Sequence, residues 1–287
     1  HIRSWAANKA EEADFGTTLV VTLVDSFTNL EVDLNYTVVH DHDVLLRSTV
    51  FRNPTRAQVL FDNSPNARNT HVGTATIHRA MSASLDFENE RGGYQLTYLS
   101  GSWARERHVE HTRIQPGLFS IGSTRGTSSH VHNPFAVLSR GSQEPRETDG
   151  DVFGFALVYS GNHIVEAEGN EVGRVRFNIG IHPTGFCWSL PPGAEFQTPE
   201  CVMVYSQNGL GGMSRIFHRL FLNHLIPKQW AARPQPILLN SWEAQYFDVS
   251  HDAITEMAME ANKLGIEMIV LDDGWFGKRN DANSSLG

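Results

Sequence analysis

Residues 236–287 read PILLNSWEAQYFDVSHDAITEMAMEANKLGIEMIVLDDGWFGKRNDANSSLG. Residues 236–239 are a short apolar run closed by Asn240, too short for a helix and of the length of a buried strand. Ser250 suits a helix N-cap, and Asp252 in the first turn places a carboxylate at the positive end of the helix dipole. Ile254, Met257, Ala258, Ala261 and Leu264 then recur at helical spacing and make one apolar face. Gly265 supplies the position at which such a helix ends. Residues 266–271 form a second apolar run, which stops on Asp272-Asp273-Gly274-Trp275. Strand, helix and strand of this length predict a βαβ unit with parallel strands.

The polar and aromatic groups stand at corresponding places after the two strands. Asn240, Trp242 and Glu243 follow the first, and Asp272, Asp273 and Trp275 follow the second. Parallel α/β sheets and barrels bind ligands at the carboxyl ends of their strands. Ionised carboxylates only accept hydrogen bonds, so an adjacent pair suits a ligand rich in hydroxyl donors. An indole beside them offers a flat apolar surface to a sugar ring. The same residues also fit a plainer account, since Asp-Gly after a strand is ordinary turn chemistry and Trp is most often packing.

Upstream of this unit, residues 209–226 change from a β to a helical pattern: Met213, Ile216, Phe217, Leu220 and the neighbouring Phe221 keep an apolar face that excludes Arg215, Arg219 and Asn223. The helix is expected to end before Pro227, with residues 228–234 as a connector. Earlier still, residues 17–206 are almost wholly β in texture. Strands are expected over 18–24, 32–39, 44–52, 74–87, 94–99, 102–114, 135–138, 152–160, 174–181, 186–190 and 201–206. Breakers such as Asn63-Ser64-Pro65, Gly92-Gly93, Asp149-Gly150 and Pro191-Pro192-Gly193 punctuate them. Many strands with little helical period predict an antiparallel β-sandwich.

The 287 residues are 40% hydrophobic and 19% charged, the make-up of an ordinary globular protein. A net charge of −9 without a basic cluster argues against nucleic acid and anionic membrane as partners. No apolar run approaches the ~20 residues of a membrane-spanning helix. His40-Asp41-His42-Asp43 carries metal-ligating side chains, but no further ligand group is visible, and a solvated turn is expected. Trp103, Arg105 and Arg107 fit either an exposed edge strand or a seam with another domain or subunit.

The segments NSWEAQYFD (240–248), GIEMIVLDDGWFGKRNDANSSLG (265–287) and TPECVMVYSQNGLGGMSRIFHRL (198–220) resemble glycoside hydrolase family 36, the bacterial and fungal α-galactosidases. The likeness extends through LSGSWARERHVEHTRIQPGLFSIGSTRGTSSHVHNPFAVLSRG (99–141) and is weaker before about residue 98. One departure is Ser241, where the family usually has Asn.

The resemblance implies a multi-domain chain: a β-sandwich over 1–206, a linking helix and connector over 207–234, and the start of a (β/α)8 TIM barrel over 235–287. It implies retaining hydrolysis of terminal α-galactosides of the melibiose and raffinose type, with no cofactor and no metal. Asp272 and Asp273 would bind galactose hydroxyls, Trp242 would line the same pocket, and Trp275 is a further candidate for it. The nucleophile and acid/base of the family stand at later barrel strands, beyond Gly287. A barrel takes ~250 residues, of which about fifty are here. The chain begins at His1 rather than Met, so both ends are expected to be cut, and this length alone is expected to be inactive.

The family often forms oligomers through its sandwich, which allows a homo-tetramer. Separate buried thiols are expected for Cys187 and Cys201, since the resemblance suggests no bridge between them. Alternatives are a non-catalytic sugar-binding or assembly sandwich, or a related α-N-acetylgalactosaminidase or galactosyltransferase.

Overall fold

The computed structural model describes residues 2–13, 15–25, 28–55, 73–141 and 143–285. They divide into two compact units, His1–Leu222 and Asn223–Gly287. The first is dominated by a ten-stranded sheet. Its order is β1 (Ile2–Ala13), β2 (Gly16–Asp25), β3 (Glu31–Val39), β4 (Val44–Arg52), β16 (Cys201–Ser206), β11 (Val152–Leu157), β10 (His132–Arg140), β7 (Tyr94–Ser102) and β8 (Arg105–Arg113), with β15 (Glu195–Gln197) also paired to β4. Every pairing in it is antiparallel. A three-stranded antiparallel sheet, β12 (His163–Gly169), β13 (Val175–Ile181) and β6 (Met81–Phe87), faces it. β5 (Ala75–Ile77) pairs with β14 (Trp188–Leu190), and β9 (Gly117–Ser123) runs beside β12.

The two-residue period of the strands sorts side chains between two cores. Ala136 and Leu138 of β10 join Phe155, Cys201 and Met203 of the large sheet against Val165, Ala167, Phe177 and Ile179 of the small one. Phe155 and Phe177 stack across this interface with ring centroids 4.0 Å apart. The intervening Val137, Val202 and Val204 point to the opposite face. There helix α1 (Gly209–Leu220) lays down Met213, Ile216, Phe217 and Leu220, the face that the periodicity predicts. Gly154 of β11 makes room for it: a Cβ there would lie 2.5 Å from Met213 Sδ and 2.7 Å from the Phe217 ring. The layers are therefore small sheet, large sheet and helix. A π-helical turn, Phe221–Leu225, follows α1.

Several sequence expectations need correction. The two strands expected over 94–99 and 102–114 are both present, but the first runs on to Ser102 and the chain reverses at Trp103-Ala104, where Ala104 adopts a φ of 58°. The strand expected over 74–87 is split into β5 and β6. Four strands, β1, β9, β12 and β15, were not expected at all. β8 is the exposed edge of the large sheet, with Trp103 85% exposed at its hairpin tip. Both cysteines are free, but only Cys201 is buried, whereas Cys187 is exposed. Cys187 precedes β14, which pairs with β5, while Cys201 belongs to the large sheet. His40-Asp41-His42-Asp43 is a turn, with His40 hydrogen-bonded to Thr17 Oγ1 at 2.9 Å and His42 Nδ1 3.0 Å from the His40 carbonyl. The Asn63-Ser64-Pro65 breaker lies outside the described residues.

The second unit opens with the short helix α2 (Lys228–Ala231) and then forms one βαβ unit. β17 (Leu238–Asn240) and β18 (Met268–Val270) pair in parallel, Leu238 opposite Met268 and Asn240 opposite Val270. Between them stand a single turn, α3 (Trp242–Gln245), and the helix α4 (His251–Lys263). Ser250 caps α4 by accepting from the Ala253 amide at 3.2 Å, and Gly265 takes a φ of +78°, as the sequence leads one to expect. Ala261 is buried and Ile254, Met257 and Ala258 are half-buried, but Leu264, expected on the same face, is 81% exposed. Ile237, Leu238, Met268 and Leu271 of the two expected buried strands are exposed as well. Two strands and one helix do not cover their own apolar faces.

Candidate site at the carboxyl ends of the parallel strands

The strand pair continues beyond its ladder through one residue. The Ser241 amide donates to the Val270 carbonyl at 2.9 Å, and Ser241 Oγ accepts from the Asp272 amide at 3.1 Å. Ser241 is 1% exposed, so this short polar side chain closes the sheet end from within. Asn240, the last residue of β17, then bridges both loops. Its Nδ2 donates to Asp272 Oδ2 at 2.7 Å, and its Oδ1 accepts from the Trp242 amide at 2.8 Å. Asp272 Oδ1 accepts from the Asp273 amide at 2.8 Å.

Asp273 faces a different partner. Arg279 Nε donates to its Oδ1 at 3.0 Å and Arg279 Nη2 to its Oδ2 at 2.8 Å, a two-pronged ion pair. The Arg279 guanidinium holds the Asp273 carboxyl below the usual carboxylate range, so it is anionic at neutral pH. Adjacent residues at a strand end thus turn their carboxylates to separate supports, Asp272 to Asn240 and Asp273 to Arg279. Each oxygen keeps acceptor capacity beyond the bond shown, and both residues are only partly buried. The arrangement can take hydroxyl donors from a ligand.

The aromatic residues form a wall next to it. Trp242 is half-buried, edge-on to Tyr246 at 5.2 Å and to Phe247 at 4.9 Å. Trp275 is 62% exposed and stands edge-on to Phe276 at 5.4 Å. The structure therefore gathers Asp272, Asp273 and, through Asn240, Trp242 at one strand end, and leaves Trp275 on the outside of the loop. Arg279, Ser241 and Asn240 take structural parts that spacing alone does not assign. The signal for Arg279 is a pair of adjacent cations, Lys278 and Arg279, five and six residues after Asp273, inside a loop of turn residues. Among the described residues no group of three or more His, Cys, Asp or Glu side chains is disposed to hold a metal. A groove of about 500 Å³ on the sandwich has apolar walls, Leu45, Leu85, Phe87, Phe153 and Met203, with His42, Asp43 and Tyr205 as its polar groups, and offers a sugar few polar partners.

The first unit is thus an antiparallel sandwich, and the second a parallel βαβ unit with carboxylates at its strand ends. Residues 6–191 match the family model of the glycosyl hydrolase family 36 N-terminal domain, and residues 195–287 match the melibiase model. The chain belongs to glycoside hydrolase family 36. The likeness reaches further towards the start than the weak resemblance before residue 98 suggests. The α-galactosidase AgaA of Geobacillus stearothermophilus is 40% identical over 281 residues, 98% of this chain and 36% of the relative. The α-galactosidase Mel36A of Lactobacillus acidophilus is 40% identical over 96% of this chain and 35% of its own length. The chain thus spans about a third of these relatives. The crystal structure of AgaA superposes with a TM-score of 0.85 at 37% identity, covering 100% of this chain and 39% of AgaA. AgaA variants have been solved with raffinose and with stachyose, each at a TM-score of 0.84.

Proposed function

We propose that this chain forms the amino-terminal sandwich and the galactose-recognition edge of a retaining α-galactosidase. The whole enzyme would release terminal α-linked galactose from melibiose- and raffinose-type oligosaccharides. The observation that carries the reading is the strand-end pair Asp272 and Asp273, each supported by its own donor and each with acceptor capacity left. The names of the relatives and the sugars held by AgaA support the same substrate class. Asp272 and Asp273 would accept galactose hydroxyls, with Trp242 lining the pocket and Trp275 at its rim.

Neither aspartate is given the covalent chemistry. Retaining hydrolysis needs two carboxyl groups ~5–5.5 Å apart on opposite sides of the anomeric carbon, one attacking and one donating a proton. Neighbours in sequence cannot flank the anomeric carbon in this way. An ion-paired carboxylate held below its usual range is also a poor proton donor. The nucleophile and acid/base of this reading lie outside residues 1–287, and the chemistry calls for no cofactor.

The test is hydrolysis of melibiose and raffinose by the full-length enzyme, wild type and with Asp272→Asn or Asp273→Asn. Each substitution removes a charged acceptor, and kcat/KM is expected to fall roughly 10- to 100-fold per lost hydroxyl contact. Wild-type kcat/KM in both variants would sink the assignment. A preference for α-N-acetylgalactosaminides, or for transfer over hydrolysis, would replace the activity while keeping the site.

A further inference from the structure

We propose that Arg279 is a positioning residue for sugar recognition: its guanidinium sets the orientation of the Asp273 carboxylate and ties the loop after β18 to the loop after β17. The proposal rests on the reading of Asp273 as a hydroxyl acceptor and deepens it.

Arg279 is 9% exposed, a rare degree of burial for this residue type, and its donors are spent locally. Nε and Nη2 grip the two Asp273 oxygens at 3.0 and 2.8 Å. Nη1 donates to the Asp281 carbonyl at 3.0 Å and to the Ser284 carbonyl at 2.7 Å. The fork therefore closes the loop 273–284 on itself around the carboxylate. The guanidinium carbon also lies 5.3 Å from the Phe247 ring centroid, and Phe247 stands edge-on to Trp242. A continuous line of contacts then runs from Trp242 through Phe247 and Arg279 to Asp273, across both strand ends.

Gly274 shows how closely the two loops approach. A Cβ on it would sit 3.0 Å from Phe247 Cα, and its φ of +98° disfavours any side chain. The fork uses one acceptor direction on each Asp273 oxygen and fixes the carboxylate plane, so the remaining lone pairs point in set directions. Lysine could supply charge but not a planar fork.

A mere loop staple and a positioning residue differ in what their loss does to selectivity. The experiment uses the full-length enzyme with an α-galactoside and its monodeoxy analogues, each lacking one ring hydroxyl. Asp273→Asn is expected to abolish the kcat/KM penalty for the hydroxyl that Asp273 accepts. Arg279→Gln is expected to shrink that same penalty by roughly tenfold, with the penalties at the other hydroxyls unchanged. Arg279→Lys is expected to fall between, and it carries the test should the Gln variant fail to fold, as judged by thermal unfolding. Equal losses on every analogue in the Arg279 variants would make the residue a staple and overturn the proposal. If Asp273→Asn itself leaves every penalty at its wild-type value, the underlying reading of Asp273 fails as well. If only the Arg279 variants behave as wild type, that reading stands and this proposal alone is lost.

Discussion

His163, on β12, has no exposed surface, and neither ring nitrogen has a hydrogen-bond partner of normal geometry among the described residues. Burial is the main force on its proton: it pushes the pKa from 6.5 down to about 4, and the neighbouring His132 and His182 add to the lowering. The imidazole is therefore neutral in the folded sandwich, while the unfolded chain takes up a proton as pH falls through 6.5. The stability it contributes is fully present above pH 6.5 and is lost as pH falls towards 4. A gap of this size corresponds to about 3 kcal/mol at order of magnitude. Urea unfolding at pH 7 and pH 4.5, on wild type and His163→Leu, isolates this part. Wild type is expected to lose more stability over the interval than the variant, and parallel losses would rule the mechanism out. Nothing in the local sequence singles the residue out, because the burial that depresses its pKa comes from strands distant in the chain.

Helix α1 shows what an element-scale pattern can and cannot announce. Its apolar face follows from the spacing of Met213, Ile216, Phe217 and Leu220, whereas the partner it meets, the Val137, Val202 and Val204 face of the large sheet, is set by strand pairing. Phe217 is buried there, 5.5 Å from the Phe135 ring and 5.7 Å from that of Phe221. Phe217→Ala is expected to cost about 3–5 kcal/mol, read as a lower urea midpoint with an unchanged slope. A change within 1 kcal/mol, as an order-of-magnitude bound for surface substitutions, would mean that the helix is not anchored through this ring. The strands that stay hidden in sequence do so for definite reasons. β1 mixes alanines with charged and polar residues and has no strict alternation, and it joins β2 through backbone pairing, which needs no apolar pattern. β12 carries Glu166, which looks out of place in a strand until Arg79 and Asn178 are seen bonded to it.

For the molecule as a whole, the two units have unequal means of standing alone. Among the described residues the sandwich encloses three apolar clusters, whereas the second unit leaves Ile237, Leu238, Met259, Leu264, Met268 and Leu271 exposed. Apolar surface of this kind binds partners or drives self-association. Residues 223–287 made alone are expected to bind a hydrophobic dye and sediment as aggregates; a monomer with dispersed, protected amides would contradict this. The 287-residue chain is expected to show no α-galactosidase turnover, and measurable release of galactose from melibiose by it would overturn the placing of the nucleophile elsewhere.

The βαβ unit, the Ser250 cap, the Gly265 stop, the face of α1 and the strand-end position of Asp272 and Asp273 are all local consequences of spacing and side-chain type, and the sequence by itself determines them. What the tertiary structure alone decides is contact between parts distant in the chain. It places Asn240 on Asp272 across 32 positions, buries His163, exposes Cys187 and turns the Trp103 segment into a hairpin tip. It also closes Arg279 on Asp273, a pairing within one loop whose geometry depends on Gly274 fitting against Phe247. The physical reason is that periodicity records which face of an element is apolar, whereas the partner of a polar group depends on how the chain returns to it.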